Sequence, residues 1–276
     1  MPLMPVYFRR VKHLLVLICL VLTGSIFQAC QTAESLDSLH ELRSKAEQGD
    51  TNAQLEFGLI YYNGEEVPQD YPEAQRWFRL AADQGHADAQ FNLGVMYDNG
   101  RGVEQDYTEA ARWWRLAADQ GLAQAQTSLG TLYSSGDGVP QSKVEAARRW
   151  RLAADQGHAD AQFLLGVIYT NGEGVPQNDT EAVRWYHLAA DQGHADAQYE
   201  LGLMYANGGG VPQNDVLAYM WSNLAASRMN DREWRELAAD FRDEIASRLT
   251  PDQLAEGQRL ALEWDAAHPP DNRRPR

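Results

Sequence analysis

The chain has 276 residues, and its formal net charge is −15. This length allows one or two domains with a sizeable core, and the 44% apolar share is typical of a folded soluble protein. Because so acidic a surface repels phosphate groups, we expect neither a nucleic-acid partner nor binding to anionic lipid head groups.

Residues 1–30 have the pattern of a targeting segment. Basic residues at Arg9, Arg10 and Lys12 precede the 14-residue run "LLVLICLVLTGSIF", which is short for a membrane-spanning helix. The following "QAC" resembles the lipobox of bacterial lipoproteins, although Phe27 and Gln28 depart from it. Ordinary signal-peptidase cleavage and a retained anchor stay open as alternatives, and lipidation of Cys30 is the interpretation we favour.

The expected location follows from this segment. By resemblance to lipoproteins, Gln31 after the cysteine favours the outer membrane, so we expect an exported periplasmic protein whose only membrane contact is a lipid anchor on Cys30. Removing residues 1–30, with their three basic residues and no acidic residue, lowers the charge of −15 to −18. Cys19 lies in the removed run, so no intramolecular disulfide is possible.

The rest of the chain is repetitive, with a period of 36 residues. Two glycine columns mark the period: Gly49, Gly85, Gly121, Gly157, Gly193; and Gly58, Gly94, Gly130, Gly166, Gly202. Ala89, Leu93 and Tyr97 show the helical spacing of the first segment of a unit. A turn such as "NGRGVEQD" then reverses the chain into a second helix. Each unit is therefore predicted to be an antiparallel helix pair that buries its apolar face only by stacking.

Aromatic columns follow the same period. One contains Tyr61, Tyr97, Tyr133, Tyr169 and Tyr205, and another contains Trp77, Trp113, Trp185 and Trp221, with Arg149 as the exception. The columns could form a stacking platform, but their helical spacing beside small residues favours core packing. The glycines of the first helix indicate close approach between helices, at a cost of about 1 kcal/mol relative to alanine.

These patterns predict an all-α fold, an α/α solenoid in which antiparallel helix pairs form a superhelix with helical caps. Residues 31–49 supply a linker and an N-terminal capping helix, 50–229 the five repeats, 230–267 the C-terminal capping helices, and 268–276 a disordered tail. Thr250, Pro251 and Gln253 predict a capped start for the last helix, which runs to about Ala267.

"ADAQFNLGVMYDNGRGV" followed by "DYTEAARWWRLAADQG" resembles the Sel1-like repeat, a relative of the tetratricopeptide repeat, over 50–229 and its flanks. The resemblance implies a superhelical scaffold for protein or peptide partners in exported complexes and signalling, and no reaction. Some secreted relatives carry a disulfide in each repeat and have been described as penicillin-binding or β-lactamase-like. This chain lacks those cysteines.

Candidate catalytic and metal-binding residues are few. His86, His158 and His194 share a column, but repeats stacked about 10 Å apart cannot share one metal ion with ~2 Å bonds. We interpret them as solvated residues near helix N-termini. The serines around the third turn lack a nucleophile elbow, and no Walker lysine follows the glycine-rich turns. We expect no enzyme activity, no cofactor and no metal.

Function is expected where the repeats differ. One face of the first helices, at positions i, i+4 and i+7, varies between units; we call it the first-helix stripe. Its members are Leu55, Leu59, Tyr62; Phe91, Val95, Asp98; Thr127, Thr131, Ser134; Phe163, Val167, Thr170; and Tyr199, Leu203, Ala206. First helices tend to line the concave surface of such stacks, so the stripe is either a peptide-binding groove or partly core.

We predict a non-catalytic scaffold of the bacterial cell envelope that binds a protein or peptide through Leu55, Tyr62, Phe91, Phe163 and Tyr199. The alternative is a β-lactamase-like or peptidoglycan-acting hydrolase. A covalent adduct with a labelled β-lactam would support that alternative, and stable capture of a protein partner would support the scaffold.

Overall fold

The computed structural model describes residues 38–269. The predicted targeting segment, Cys30 and residues 270–276 lie outside the described residues. The elements in chain order are α1 (38–47), α2 (Thr51–Asn63), α3 (Tyr71–Asp83), α4 (Ala87–Asn99), α5 (Tyr107–Asp119), α6 (Ala123–Ser135), α7 (Lys143–Asp155), α8 (Ala159–Asn171), α9 (Asp179–Ala190), α10 (Ala195–Asn207), α11 (Asp215–Arg228), α12 (Arg232–Ala246) and α13 (Pro251–Ala267).

The predicted fold class is confirmed: the described residues form an all-α repeat solenoid. Each repeat supplies a first helix and a second helix that pack together, as in α4 with α5 and α8 with α9. The chain divides into two compact units, one ending at His86 and the other beginning at Ala87.

The N-terminal unit contains α1, α2 and α3. Phe57 and Trp77 meet edge to face, with their ring centroids 5.1 Å apart, and belong to one cluster with Ala46 and Ala53. Leu39 and Leu42 of α1 pack against the same cluster. α1 therefore covers apolar surface of the first repeat, as a solenoid end requires.

Short-range signals fix the start of each second helix. Asp106 caps α5 by accepting a hydrogen bond from the Glu109 backbone N–H at 3.1 Å, and Ser142 caps α7 in the same way through Glu145 at 3.2 Å. The backbone N–H of Ser142 also donates to the Tyr133 carbonyl at 2.8 Å, closing the turn between α6 and α7. A polar cap and a backbone hydrogen bond thus fix where the second helix begins and close the turn before it.

The second glycine of the turn packs one repeat on the preceding one. Gly174, with φ +74°, lies so close to the backbone of Lys143, at the start of the previous second helix, that a side chain would overlap it. Gly210 makes the same approach to Asp179. Positive φ and close approach both demand glycine, which explains the repeated "GV" of the turn.

The core of the second unit consists of clusters that cross repeat boundaries. Ala117 of α5 and Leu129 of α6 belong to one cluster, and Trp150 of α7 and Leu165 of α8 belong to another. Each cluster combines the second helix of one repeat with the first helix of the next. A single repeat cannot complete its core alone, as the sequence predicts.

Two further helices end the chain. Thr250 is the N-cap of α13: its side chain accepts from the Gln253 backbone while the Gln253 side chain accepts from the Thr250 backbone, so the predicted capping box is confirmed. Ile245 of α12 and Ala261 of α13 are both buried in clusters that contain residues of α11. No helix in 38–269 has the length and apolar character needed to cross a membrane.

Candidate functional site

The first-helix stripe is half-buried along most of its length. Leu55 and Tyr62 in the N-terminal unit, and Phe91, Phe163 and Tyr199 in the second unit, all keep part of their side chains in solvent. The stripe is therefore partly core, and whether its solvent-facing part forms a peptide-binding groove stays a prediction.

In the N-terminal unit, Tyr62 lies against aromatic rings of the second helix. Its centroid is 5.3 Å from that of Tyr71 in an edge-on arrangement and 6.2 Å from that of Phe78. Leu55 lies near the start of α2 and is half-buried. These two candidate residues belong to the same helix and sit two turns apart.

The Phe91 ring packs against the Trp114 ring of α5. The two rings are stacked with centroids 6.4 Å apart, and Trp114 Nε1 donates to the Phe91 carbonyl at 3.1 Å. Trp114 reaches this position because Gly94 offers no side chain there. The glycine that costs helix propensity thus makes room for the ring that supports Phe91, and the predicted close approach is confirmed.

Phe163 lies between a histidine ring and a tyrosine ring. Its ring stacks on the His194 ring with centroids 4.7 Å apart and lies 6.0 Å from Tyr186 of α9. His194 Nε2 lies 3.4 Å from Asp160 Oδ1, so the imidazole is held from the helix that carries Phe163. The aromatic anchor therefore sits at the junction of α8, α9 and the start of α10.

The third repeat interrupts the apolar stripe with hydroxyl groups. Thr127 is buried, donates to the Ala123 carbonyl at 2.9 Å and lies 3.3 Å from His158 Nδ1, whereas Thr131 is exposed. Polar side chains thus separate Phe91 from Phe163. The stripe is not one continuous apolar channel but a set of separated anchors.

Tyr199 contacts the C-terminal cap as well as its own repeat. Its ring meets the Phe241 ring of α12 edge-on at 5.7 Å, and it packs against the cluster that contains Ala225 and Ala238. Burial, and then the neighbouring Glu200 carboxylate, raise the pKa of Tyr199 above its ordinary value. The capping helix therefore supports this candidate anchor, which the sequence alone did not indicate.

The histidine column lies at helix N-termini, as the sequence predicts, and its members are only partly in solvent. His86, His158 and His194 are half-buried, and each contacts the first helix of the preceding repeat. His86 Nε2 lies 3.0 Å from Asn52 Oδ1, and the other two contact Thr127 and Asp160. In the second unit, His158 and His194 thus make polar contacts between successive first helices.

A buried glutamine ladder was missed by the sequence reasoning. Gln162 is 4% exposed, donates to the Ala154 carbonyl at 3.2 Å and accepts from Gln192 Nε2 at 2.8 Å. Equivalent pairs recur at the 36-residue period: Gln54 with Gln84, Gln90 with Gln120, and Gln126 with Gln156. Two glutamine columns 30 residues apart were the available signal. In each pair an exposed glutamine donates to the side-chain oxygen of a buried one, whose amide would otherwise cost stability.

The tryptophan column belongs to the core, as the sequence favoured. Trp77, Trp113 and Trp185 are each 2% exposed, and Trp221 is 5% exposed. Arg149 is also buried, and it reaches Asp119 Oδ1 at 3.1 Å. No face of this column is open for stacking with bases or sugars.

The residues considered for chemistry have structural roles. Ser142 caps α7, and Ser134 Oγ accepts a hydrogen bond from Lys143 Nζ at 3.0 Å. Within 38–269, no three His, Cys, Asp or Glu side chains converge in a way that could hold a metal ion.

A second exposed apolar feature lies on the second helices. Leu80, Leu116, Leu152 and Leu188 occupy one column and are about two-fifths exposed, at 41%, 43%, 40% and 40%. The fifth member, Leu224, is 1% exposed and belongs to one cluster with Ala261 and Trp264 of α13. The last helix therefore protects the position that the earlier repeats leave in solvent.

Comparison with known families assigns the repeats. A model described as the Sel1 repeat matches five successive segments: 51–86, 87–122, 123–158, 159–194 and 195–228. The segments agree in phase with the helix pairs α2–α3, α4–α5, α6–α7, α8–α9 and α10–α11.

Two solved structures are similar to this chain. A protective antigen of uropathogenic Escherichia coli strains, displaying an SLR fold, is 34% identical with a TM-score of 0.67, and the match covers 82% of this chain and 56% of that one. A Sel1 repeat protein from Oxalobacter formigenes is 28% identical with a TM-score of 0.68, covering 84% of this chain and 98% of that one.

One curated relative is named for a binding activity. The secretory immunoglobulin A-binding protein EsiB of Escherichia coli O6:H1 is 41% identical over 65 residues. The match covers 24% of this chain and 13% of that protein. This chain therefore aligns with only a small part of the immunoglobulin-binding protein.

Proposed function

The chain belongs to the Sel1 repeat family, and on that basis we propose that it is a non-catalytic scaffold whose first-helix stripe binds a protein or peptide partner. The observation that carries the proposal is the set of half-exposed anchors Phe91, Phe163 and Tyr199, each held by a ring beneath or beside it. Rigid aromatic side chains with one free side are the usual centres of binding energy at protein interfaces.

The relatives support a protein as the class of partner. One relative is named for binding secretory immunoglobulin A, and a similar structure is that of a protective antigen. Peptides that bind helical repeats place apolar side chains at pockets between helices. The separated anchors of this stripe suit an extended or helical segment whose apolar residues reach Phe91 and Phe163 and whose polar residues pass Thr131.

The test begins with capture of a partner by the purified full chain and measurement of its affinity by calorimetry. Phe91→Ala and Phe163→Ala should each weaken binding by about 1 to 2 kcal/mol while helical circular dichroism is retained. Leu116→Ala provides a control, because Leu116 is an exposed apolar side chain on α5 outside the stripe. Equal losses in all three variants, or none in the two phenylalanine variants, would place the binding surface elsewhere.

We further propose that the protein is exported and lipidated at Cys30, with attachment to the outer membrane. The basic residues, the apolar run and "QAC" support this location. Cys30→Ser should abolish palmitate labelling and move the protein out of the membrane fraction. Palmitate labelling that persists in the variant would contradict the proposal.

A further inference from the structure

An open cavity lies between α1 and α2 in the N-terminal unit, and we call it the N-terminal cavity. Its volume is about 220 Å³, and its lining comes from α1, α2 and the turn that follows α2. Leu39, Leu42 and Ile60 line it, are half-buried and pack against the cluster that contains Phe57 and Trp77. The cavity therefore has an apolar floor that rests on the core of the first repeat.

The cavity lies where later repeats are closed. Ile60 is only half-buried, whereas its counterparts are buried: Met96, Leu132, Ile168 and Met204, at 0%, 4%, 3% and 9% exposure. α1 corresponds to the second helix of a preceding repeat, since Ala46, Gln48 and Gly49 lie one period before Ala82, Gln84 and Gly85. The first helix of that repeat would fall at 15–27, one period before α2 and inside the predicted targeting segment. The cavity is therefore the place of a helix that the repeats themselves do not supply.

Side chains of α1 at the cavity depart from the repeat pattern. Ser38 and Lys45 are exposed and line the cavity, whereas their counterparts in all five repeats are alanines with 0% exposure. Those alanines are Ala74, Ala110, Ala146, Ala182 and Ala218 for the first position, and Ala81, Ala117, Ala153, Ala189 and Ala225 for the second. Glu41 likewise stands in the column of buried tryptophans. Polar residues have replaced core residues at this end of the stack.

The turn after α2 departs from the pattern at the same place. Glu66 lines the cavity, and the other four turns have glycine at its position: Gly102, Gly138, Gly174 and Gly210. Three of these glycines, in the third to fifth turns, lie too close to the start of the preceding second helix to carry a side chain. The counterpart of that helix start is residue 35, before α1 begins. Glutamate is therefore tolerated in the first turn, and its carboxylate lies at the cavity.

The cavity lining has an excess of negative charge. Glu41, Glu56 and Glu66 supply three carboxylates, and the one cation of the lining, Lys45, pairs with Glu41 at 2.8 Å. Lys45 also attracts Glu56, but within 38–269 neither Glu56 nor Glu66 has a cation at ion-pairing distance. The other basic residues of 38–86 do not line the cavity; they are His40, Arg43, Arg76, Arg79 and His86.

We infer that the N-terminal cavity binds an amphipathic helix of a partner protein that carries lysine or arginine beside its apolar face. Apolar side chains of that helix would lie on Leu39, Leu42 and Ile60, and its cations would pair with Glu56 and Glu66. An apolar centre with a polar rim is the usual arrangement at protein interfaces, and helices commonly bind in such grooves. A second copy of this chain is a poor occupant, because its net charge of −15 is repelled by an acidic lining.

The probe is a synthetic amphipathic helix, acetyl-Ser-Leu-Lys-Gln-Ala-Leu-Lys-Ala-Leu-Lys-Gln-Ala-Leu-Lys-amide, and its matched control has glutamine in place of every lysine. At low ionic strength the purified full chain should bind the lysine peptide about fivefold more tightly than the glutamine peptide, because two exposed ion pairs each contribute modestly. Nuclear magnetic resonance of the ¹⁵N-labelled chain should show the largest chemical-shift changes at amides of 38–66.

Paired double variants test the carboxylates. Glu56→Gln with Glu66→Gln should remove most of the preference for the lysine peptide. Glu65→Gln with Glu104→Gln makes an equal change of charge at exposed residues outside the lining, and it should retain the preference. All four substitutions are on the surface, and helical circular dichroism checks that each variant is folded.

Several results would overturn the inference. Equal loss of preference in both double variants would mean that only the net charge of the chain attracts the peptide. Equal affinity for the two peptides, no binding by either, or largest shifts outside 38–66 would also contradict it. Weaker binding after Phe163→Ala would assign the peptide to the first-helix stripe instead. The scaffold proposal is tested separately, because Leu55 and Tyr62 of the stripe do not line the cavity.

Discussion

The fourth and fifth repeats are built on the same 36-residue pattern, yet one continues the stack and the other ends it. In the fourth repeat, Tyr186 fills the space over Gly166, and Gln192 pairs with buried Gln162. In the fifth, Ser222 stands in the place of the ring and is buried, while Phe241 of α12 approaches Gly202 from outside the repeat. A helix from the cap thus replaces part of the missing side chain.

The glutamine ladder ends at the same place. Arg228 occupies the position that Gln192 holds one repeat earlier; it pairs with Asp265 and lies under the Trp264 ring at 4.7 Å. As a result, the buried Gln198 Oε1 has no hydrogen-bond donor among the described residues. Two changes on one second helix, Ser222 and Arg228, thus redirect its contacts from a next repeat to the capping helices.

The largest expected loss of stability follows from a substitution in the interior of the stack. Trp185 joins α9 to the cluster of α7 and α8, and Trp185→Ala should lower the free energy of unfolding by about 3 to 5 kcal/mol. Hydrogen exchange should show the loss across the third and fourth repeats, since each repeat contacts only its neighbours. Trp221→Ala is the counterpart in the last repeat and should instead loosen α13, because Trp221 contacts Trp264 at 6.0 Å. Identical exchange patterns in the two variants would remove the distinction between interior and end.

A smaller effect on stability is expected to distinguish Gly166 from Gly202. A Cβ on Gly166 would lie 2.9 Å from Cζ of the buried Tyr186 and closer to other ring atoms, so Gly166→Ala should destabilise the chain by about 1 to 3 kcal/mol. At Gly202 the nearest atoms would be 3.4 Å away, and Gly202→Ala should be neutral or stabilise by up to about 1 kcal/mol through helix propensity. Urea denaturation of both variants measures the difference. If both lost stability equally, Ser222 would not account for the end of the aromatic column.

The smallest effect concerns Glu200, whose column holds Leu164 in the fourth repeat. Because burial raises the pKa of Glu200 in the folded chain, its charged form opposes folding at neutral pH, and that penalty disappears as the pH falls through the raised pKa. Glu200→Gln should therefore be more stable than the parent chain at pH 7, by no more than about 1 kcal/mol. The advantage should shrink on acidification. Melting temperatures measured from pH 7 to pH 4, with Glu104→Gln as the control, check the sign; a less stable variant at pH 7 would contradict it.

Local signals in the sequence predicted much of the fold. The period, the helix pairs, the capping box at Thr250 and the core character of the tryptophan column all follow from residues within about one helical turn or from their recurrence. The candidate stripe was also visible, because it is where otherwise uniform repeats differ. What was predicted less well is the burial of the histidines, since a histidine near a helix start is solvated or enclosed according to the neighbouring repeat.

The sequence by itself determined the repeat, its helices and which positions face the core, because helix propensity, capping and apolar spacing act over a few residues. Only the tertiary structure decided that Gln162 pairs with Gln192 and that Phe241 supports Tyr199. It also decided that Ile60 lines an open cavity, although its counterparts in later repeats are buried. These contacts join residues many positions apart, and their geometry depends on how successive helix pairs are stacked, which no short stretch of sequence specifies.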